Sequence, residues 1–194
     1  MEIIEVNIGK QIWMDKNLVA KIFQNGDFIK EAKTDEEWVN ASEKGEPAWC
    51  YYNNDSENFE KYGIIYNGFA VSDPRGLAPK GWHIPEETEW NQLADFLGGE
   101  KNAGLKLKSS EGWDEHPIPA ARKNGTNESG FTAIPGGYRN SDGEFKGIKQ
   151  DGSLWSSTDK FGQLCYVSLD YAESSIIKSS LGREYGFYVR CIKD

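Results

Sequence analysis

The sequence predicts one α+β domain over residues 1–194, with two helices, antiparallel strands and extensive irregular loops. Two helical segments in the first half and short β segments, mostly in the last third, predict the α+β class. The loops are predicted from the composition, since 21 Gly accompany 7 Trp, 9 Tyr and 9 Phe. Glycines permit irregular turns, and large rings bury enough surface to hold such segments in place.

The chain is predicted to begin with a pair of short strands. Apolar and polar residues alternate in residues 3–6 and 11–14, and Gly9 lies at the turn between them. Next, Asn25-Gly26 stands between the apolar residues of segment 22–29. Because Asn-Gly suits the tight turns that connect antiparallel strands, this segment predicts a β-hairpin.

The first predicted helix begins after Thr34. Thr34 and Glu37 have the spacing of a capping box, in which each side chain satisfies a backbone N–H of the first turn. Trp38 and Ala41 then fall on one face of the helix, and the helix is predicted to end before Gly45.

The second predicted helix begins at Pro85. Proline suits the first helical turn, and the acidic residues that follow favour the positive end of the helix dipole. Trp90, Leu93 and Leu97 recur at helical spacing and predict an inward face. Gly98-Gly99 predicts the end of this helix.

The rest of the chain is predicted to be strands and loops. Residues 101–122 have a mixed composition that predicts a long loop, with Trp113 within it. Short apolar runs predict strands at residues 48–52, 131–134, 155–158, 164–169 and 187–192, and a strand or a buried turn at residues 62–67.

The charge and hydropathy exclude two classes of partner. The net charge is −9, without a cluster of Lys and Arg, so no nucleic-acid partner is predicted. The apolar runs are too short for a membrane-spanning segment. Residues 1–6 lack the basic and apolar regions of a signal peptide, so the compartment stays open between the cytoplasm and a location reached with a leader that has been removed.

The cysteines Cys50, Cys165 and Cys191 are too few and too widely spaced for a disulfide framework, a zinc ribbon or a CxxC redox site. Three buried, reduced thiols are the favoured interpretation, because free cysteine is usually buried. One disulfide with one leftover thiol is the alternative.

Several longer motifs occur in a fixed order along the chain. They comprise residues 37–38, 45–55, 73–85, 124–131, 135–139, 155–158 and 189–191. With these motifs, from about Ile8 to Asp194, the chain resembles the Fibrobacter succinogenes major paralogous domain family, which is common in Bacteroidetes. The resemblance implies a C-type-lectin-like fold related to the formylglycine-generating enzyme group. It also implies a largely unassigned function, with members that are often surface lipoproteins.

The chemistry of the related enzymes does not transfer to this chain. Formylglycine-generating enzymes hold copper with two nearby cysteines, whereas Cys165 and Cys191 lie in separate predicted strands. The related sulfoxide synthases use three histidines, and this chain has only His83 and His116. A packed or capping role is favoured for His83, and a solvated loop position for His116. No catalytic residue is predicted, and the protein is predicted not to be an enzyme.

Calcium is the next candidate ligand, because lectins of this fold often bind sugar through it. Glu46-Pro47-Ala48 lacks the third ligand of their Glu-Pro-Asn motif. The oxygen-rich residues 53–58 are predicted to form an Asx-rich turn, although they still allow a structural calcium ion. No other cofactor is predicted.

The aromatic residues are predicted to be mostly internal. Six of the seven tryptophans fall in predicted strands or helices and are assigned to the core, whereas Trp113, in a loop, is predicted to be exposed. Arg139, after Gly136-Gly137, is assigned first to a structural ion pair and second to a ligand.

The predicted ligand-facing surface lies between Trp155 and Tyr185. This segment is rich in Ser, Tyr and Asp, which are the residue types that recognition surfaces use. The resemblance also points there, because retroelement-associated relatives present variable residues on their C-terminal strands and loops. The predicted function is a non-catalytic binding or adhesion module for a glycan, peptide or protein; a divergent enzyme of the lectin-like group and a purely structural subunit are the alternatives. The predicted ligand-binding residues are Asp159, Lys160, Tyr166, Asp170 and Tyr171.

Overall fold

The computed structural model describes residues 3–115 and 124–194, and this part of the chain contains five α-helices, two short 3-10 helices (Tyr52–Asn54 and Ser56–Asn58) and thirteen strands. The helices are α1 (Asp35–Glu43), α2 (Phe59–Tyr62), α3 (Gly68–Val71), α4 (Glu87–Phe96) and α5 (Glu100–Leu107). The strands are β1 (Glu5–Ile8), β2 (Gln11–Met14), β3 (Lys30–Glu31), β4 (Ala48–Cys50), β5 (Ile65–Asn67), β6 (Trp82–His83), β7 (Gly136–Arg139), β8 (Phe145–Ile148), β9 (Asp151–Lys160), β10 (Gln163–Asp170), β11 (Ile176–Leu181), β12 (Gly186–Phe187) and β13 (Ile192–Lys193).

Two sheets organise these strands, which confirms the α+β class. The smaller sheet has the order β1-β2-β13-β6, so the last strand of the chain pairs with one of the first. The larger sheet has the order β11-β10-β9-β7-β12-β5-β4-β3, and β8 pairs with β7. The long antiparallel strands β9, β10 and β11 form one end of the larger sheet.

The two predicted helices are present. The capping box predicted at Thr34 is only half formed, because the Glu37 carboxylate accepts from the Lys33 backbone N–H at 2.7 Å and not from that of Thr34. Helix α4 begins at Glu87, after Pro85 and the N-cap Glu86. The Thr34 hydroxyl accepts a hydrogen bond from the Glu37 backbone N–H at 3.2 Å and begins α1. At α4, the Glu86 backbone N–H donates to the Glu89 carboxylate at 2.8 Å, which gives the reciprocal arrangement of a capping box. Trp38 and Trp90 are buried, as the helical spacing predicted.

The predicted long loop over residues 101–122 is wrong at its start, because α5 lies there. Gly104, in the middle of this helix, lowers the local helix propensity. The structure requires it, because a Cβ atom at Gly104 would lie 2.3 Å from the carbonyl oxygen of Ser175. Close packing of α5 against the segment before β11 therefore explains the glycine.

Three predicted β segments are only partly formed. The predicted strand 187–192 is divided between β12 and β13, which belong to different sheets. Residues 131–134 are not a strand: the Phe131 carbonyl accepts a hydrogen bond from Arg190 Nη1 at 2.6 Å instead of pairing with a strand, and Ala133 makes a single bridge to Lys108. The Asn25-Gly26 segment turns as predicted, but its pairing is one bridge between Ile22 and Phe28.

Helices α4 and α5 cover one face of β9, β10 and β11. This covered face contributes Leu154, Val167 and Leu169 to the same apolar core that contains Leu93 of α4. Trp155 and the partly buried Tyr166 belong to a second apolar cluster, formed with β4, β5 and β12. The two clusters therefore lie on opposite faces of the larger sheet.

All seven tryptophans are buried, so the predicted exposure of Trp113 is wrong. The Trp113 indole N–H donates to the Ser109 hydroxyl at 3.0 Å. The Lys108 ammonium lies 5.0 Å from the Trp113 ring centre, and the ring edge also packs against Gly152. Two local contacts and one long-range contact, with Gly152, therefore bury a residue whose local sequence resembles a surface loop.

Candidate functional site

The candidate site lies on the face of β9 and β10 that is opposite to α4 and α5. In the antiparallel register, Tyr166 pairs with Trp155, Ser168 with Ser153, and Asp170 with Asp151. Paired residues share a face, and side chains alternate between faces along each strand. These six side chains therefore point to one side of the sheet.

Three half-buried tyrosines surround the buried ring of Phe187 on this side. The ring centre of Tyr166 lies 4.7 Å from that of Phe187, Tyr138 lies 5.9 Å away edge-on, and Tyr185 stacks at 6.4 Å. Trp155 supports Phe187 from 4.5 Å. We call Tyr138, Tyr166 and Tyr185 the tyrosine patch.

The Asp151 carboxylate lies next to the tyrosine patch. Its two oxygens accept hydrogen bonds from the hydroxyls of Ser153 at 2.6 Å and Ser168 at 2.9 Å. Burial raises the pKa of Asp151 above its usual range, against the effect of these two hydrogen bonds. Within residues 3–115 and 124–194 no Lys, Arg or His lies within ion-pair distance of this carboxylate.

Burial raises the pKa of Tyr138 and of Tyr166 above the usual range of a phenol, so these two hydroxyls are neutral at physiological pH. A neutral phenol both donates and accepts hydrogen bonds. Ser179 lies opposite Tyr166 on the neighbouring strand β11, and its side chain partly offsets the rise in the Tyr166 pKa. The tyrosine patch and Asp151 together offer donors, acceptors and ring faces on one surface.

The structure brings together two of the five predicted ligand-binding residues. Tyr166 and Asp170 lie on the same face of β10, near Asp151. Tyr171 follows β10 and packs partly buried against the core on the opposite face.

Asp159 and Lys160 lie at the other end of β10, in the hairpin beside the exposed Phe161. Asp159 pairs with Arg183, and Lys160 pairs with Glu87 at 2.6 Å. The length of β10 separates this pair from Asp170 and Tyr171.

Sequence reasoning missed Tyr138, Tyr185 and Asp151. The alternation of Asp151, Ser153 and Trp155 along β9 is the signal that points to a shared face. This alternation identifies the neighbours of Asp151 only when the register of β9 and β10 is known. The register shifts between Leu164 and Tyr166.

The cysteines are free and buried, as the favoured interpretation predicted. Burial raises the pKa of Cys50 and of Cys191 to about 12, and it also raises the pKa of Cys165. Since the thiolate is the reactive form of cysteine, burial and the raised pKa values both disfavour reaction of the three thiols at neutral pH.

The oxygen-rich residues 53–58 form turns. Asn53 and Asn54 have positive φ values of 56° and 55°, and Asp55 accepts a hydrogen bond from the Glu57 backbone N–H at 2.9 Å. The Asn54 side chain accepts from Arg139 at 3.3 Å. In the described part of the chain, no three His, Cys, Asp or Glu side chains are grouped as metal ligands would be.

Arg139 has the structural role that the sequence favoured. It is fully buried and donates to the Asp35 carboxylate at 2.9 Å. Its guanidinium also lies between two rings, 4.7 Å from Trp38 and 4.6 Å from Phe145.

His83 joins the C-terminal residue to α4. Its Nδ1 lies 2.8 Å from an Asp194 carboxylate oxygen, and its Nε2 lies 2.9 Å from Glu89. Burial lowers the pKa of His83, but the hydrogen bonds to these two carboxylates outweigh burial and leave the pKa raised. His116 lies outside the described residues.

Fold and site together define an α+β protein with one sheet face covered by helices and the other carrying tyrosines and a carboxylate. The sequence model of the Fibrobacter succinogenes major domain matches residues 6–193, so the chain belongs to that family. No curated protein and no solved structure matches the chain significantly. Of the helices in the described ranges, none has the length and apolar character needed to cross a membrane.

Proposed function

We propose that this protein is a non-catalytic binding or adhesion module that holds its ligand on the tyrosine patch. One observation carries the proposal: three half-buried tyrosines share one face of the sheet with the Asp151 carboxyl group, which forms no ion pair with another described residue. A C-type-lectin-like architecture is part of the proposal. The α+β topology and the long irregular segments support it.

The chemistry of the patch suits a ligand rich in hydrogen-bond donors. Tyrosine provides a large contact area at a low cost in conformational entropy, since it has only two side-chain torsions. Asp151 accepts hydrogen bonds from groups such as sugar hydroxyls or peptide amides. A glycan and an extended protein segment both present such donors beside apolar surface, and they are the two ligand classes that the proposal names.

Binding is favoured over catalysis because the groups of the patch are held by packing. Phe187, which contacts the tyrosine rings, is 2% exposed. The buried thiols, with their raised pKa values, do not offer the thiolates that a copper-dependent relative of the formylglycine-generating group needs. Metal analysis of purified protein discriminates the two functions: stoichiometric copper or iron would favour the enzyme.

The experiment that tests the proposal is a screen of the wild-type protein, at high concentration, on a glycan array and a peptide array. We expect binders in one of the two classes, and the same binders should be lost with Tyr166→Ser. Absence of binders in both classes would contradict the proposal. A thermal melt in calcium and in EDTA, run beside the screen, tests the expectation that the domain needs no cofactor, and a lower Tm in EDTA would indicate a structural calcium ion.

A further inference from the structure

A cavity of about 800 Å³ lies on a different part of the molecule from the tyrosine patch. It is formed between residues 14–20, the α2 region at residues 59–63, and the segment near Ile134. Its volume falls within the range of roughly 300–1,000 Å³ that is typical of small-molecule sites. No residue of the tyrosine patch contributes to it.

The walls of the cavity are mainly apolar. Leu18, Val19, Phe59, Tyr62 and Ile134 supply aliphatic and aromatic surface. Such walls favour a ligand with an apolar body, because each buried Å² of apolar surface contributes about 25 cal/mol.

A buried guanidinium also lines this cavity. Arg190 is 1% exposed, and its Nε and Nη2 donate to the Asn17 side-chain oxygen at 3.3 and 3.0 Å. Its Nη1 donates to the backbone carbonyls of Met14, Asp15 and Phe131. Each terminal nitrogen of arginine carries two N–H groups, so the second Nη2 hydrogen has no acceptor within the described residues.

The charge of Arg190 lacks a direct counter-ion. Arg139 donates to Asp35, whereas in residues 3–115 and 124–194 no carboxylate lies within 4.0 Å of Arg190. The Asp15 carboxylate attracts Arg190 through space, without an ion pair. A buried charge is costly unless it is paired, so an anion in the cavity would be strongly favoured there.

The remaining charged side chains that line the cavity do not cancel this charge. Lys16 and Lys61 are exposed and form no ion pair with another described residue, and the acids that line the cavity are Asp15 and Glu60. In a chain with a net charge of −9, the cavity thus has more basic than acidic side chains.

We propose that this cavity binds a small amphipathic carboxylic acid, with its apolar body against Leu18, Val19 and Phe59 and its carboxylate directed toward Arg190. The apolar walls select the body of the ligand, and the guanidinium selects its charge. This site is independent of the proposed tyrosine-patch site, so each is tested separately.

The test compares three probes that have the same alkyl chain: dodecanoate, dodecanol and dodecyltrimethylammonium. Isothermal titration calorimetry is run below the micellar concentration of the two ionic probes and below the solubility limit of dodecanol. We expect one dodecanoate per chain, about tenfold weaker binding of dodecanol, and no binding of the cation. Equal affinities for the three probes would show that the cavity does not select an anion. No binding of dodecanoate would show that the cavity is not a site for a carboxylic acid of this kind.

Variants locate the site in the cavity. Val19→Trp places a large ring in the cavity and should abolish dodecanoate binding, whereas Ile177→Trp, on the exposed face of β11, should leave it unchanged. Arg190→Lys should weaken dodecanoate by about tenfold without weakening dodecanol. If circular dichroism shows that Arg190→Lys does not fold, the three probes and Val19→Trp still test whether the cavity binds the carboxylic acid. Unchanged binding in Val19→Trp would contradict the proposal.

Discussion

The Tyr166 ring lies 4.7 Å from the Phe187 ring, with the two planes tilted by 33°. Phe187 is buried, and it contacts the three tyrosines of the patch, which come from three separate parts of the chain. Contacts between aromatic rings at such distances contribute about 0.5–1.5 kcal/mol each beyond the surface that they bury. The fold thus holds the candidate binding surface in position before any ligand arrives, which lowers the entropic cost of binding.

The Asp151 carboxylate predicts a pH dependence of stability. Burial raises its pKa in the folded protein above that of the unfolded chain. At a pH between these two pKa values, Asp151 keeps its proton in the folded protein and has lost it in the unfolded chain. The free energy of unfolding therefore falls as the pH rises above about 4. Asp151→Asn removes the ionisation, and it should gain stability relative to wild type as the pH rises.

Urea unfolding at about pH 4, 6 and 8 measures this difference. The exposed aspartate variant Asp142→Asn is the control for the loss of one charge. A constant difference between Asp151→Asn and wild type across the three pH values would show that the Asp151 pKa is not raised.

Substitution of Trp155 and of Trp90 by phenylalanine should lower the free energy of unfolding by different amounts. The Trp155 indole N–H donates to the Tyr66 carbonyl at 2.9 Å, whereas the buried Trp90 N–H has no acceptor within the described residues. Both residues are almost fully buried, so Trp→Phe removes a similar ring volume at each. Trp155→Phe should lower the free energy of unfolding by about 1 kcal/mol more than Trp90→Phe, because it also removes a buried hydrogen bond. Equal losses in chemical denaturation would contradict this account.

The two partners of the Arg139–Asp35 ion pair should contribute unequally to the free energy of unfolding. The Arg139 side chain is fully buried, whereas 55% of the Asp35 side chain is exposed. Arg139→Ala removes the ring contacts and leaves the Ala32 and Gly143 carbonyls without a donor, so it should cost about 3 kcal/mol or more. Asp35→Asn should cost about 1 kcal/mol or less, since water screens the exposed carboxylate. Denaturant titration of both variants checks the order, and a larger loss for Asp35→Asn would reverse it.

The three thiols predict a simple labelling pattern. Because Cys50, Cys165 and Cys191 are buried and their pKa values are raised, the native protein should react with an aromatic disulfide reagent hundreds of times more slowly than unfolded protein. In denaturant, all three should react. Rapid native-state labelling of any one thiol would contradict the burial seen here, and fewer than three reactive thiols after denaturation without reductant would indicate a disulfide.

Local signals in the sequence predicted the parts of the fold that local physics determines. Thr34 and the Pro85 segment predicted α1 and α4 because caps act within one helical turn. Gly9 predicted the turn between β1 and β2, and it adopts a positive φ of 63° there, which glycine tolerates better than other residues. The burial of six tryptophans followed from their places in strands and helices.

Long-range contacts explain what the sequence did not predict. Trp113 is buried by Ser109, Lys108 and Gly152, and only Gly152 is distant enough in sequence to require the tertiary fold. The candidate site depends on such contacts throughout. Tyr138, Tyr166 and Tyr185 lie close together only because β7, β10 and β12 belong to the same larger sheet. No local sequence pattern predicts that these three residues are neighbours.

The affinity of single tyrosine variants for the ligand found on the arrays shows whether the tyrosine patch is the binding surface. Tyr138→Ser, Tyr166→Ser and Tyr185→Ser should each weaken binding by about tenfold or more, equivalent to about 1.4 kcal/mol, because each removes a ring from the contact surface. Tyr51→Ser is the matched control, since Tyr51 is also half-buried but contacts Trp49 and Phe59 instead. Calorimetry on folded variants should show the three losses and an unchanged affinity for Tyr51→Ser. Wild-type affinity in all three patch variants, or an equal loss in Tyr51→Ser, would contradict binding at the tyrosine patch.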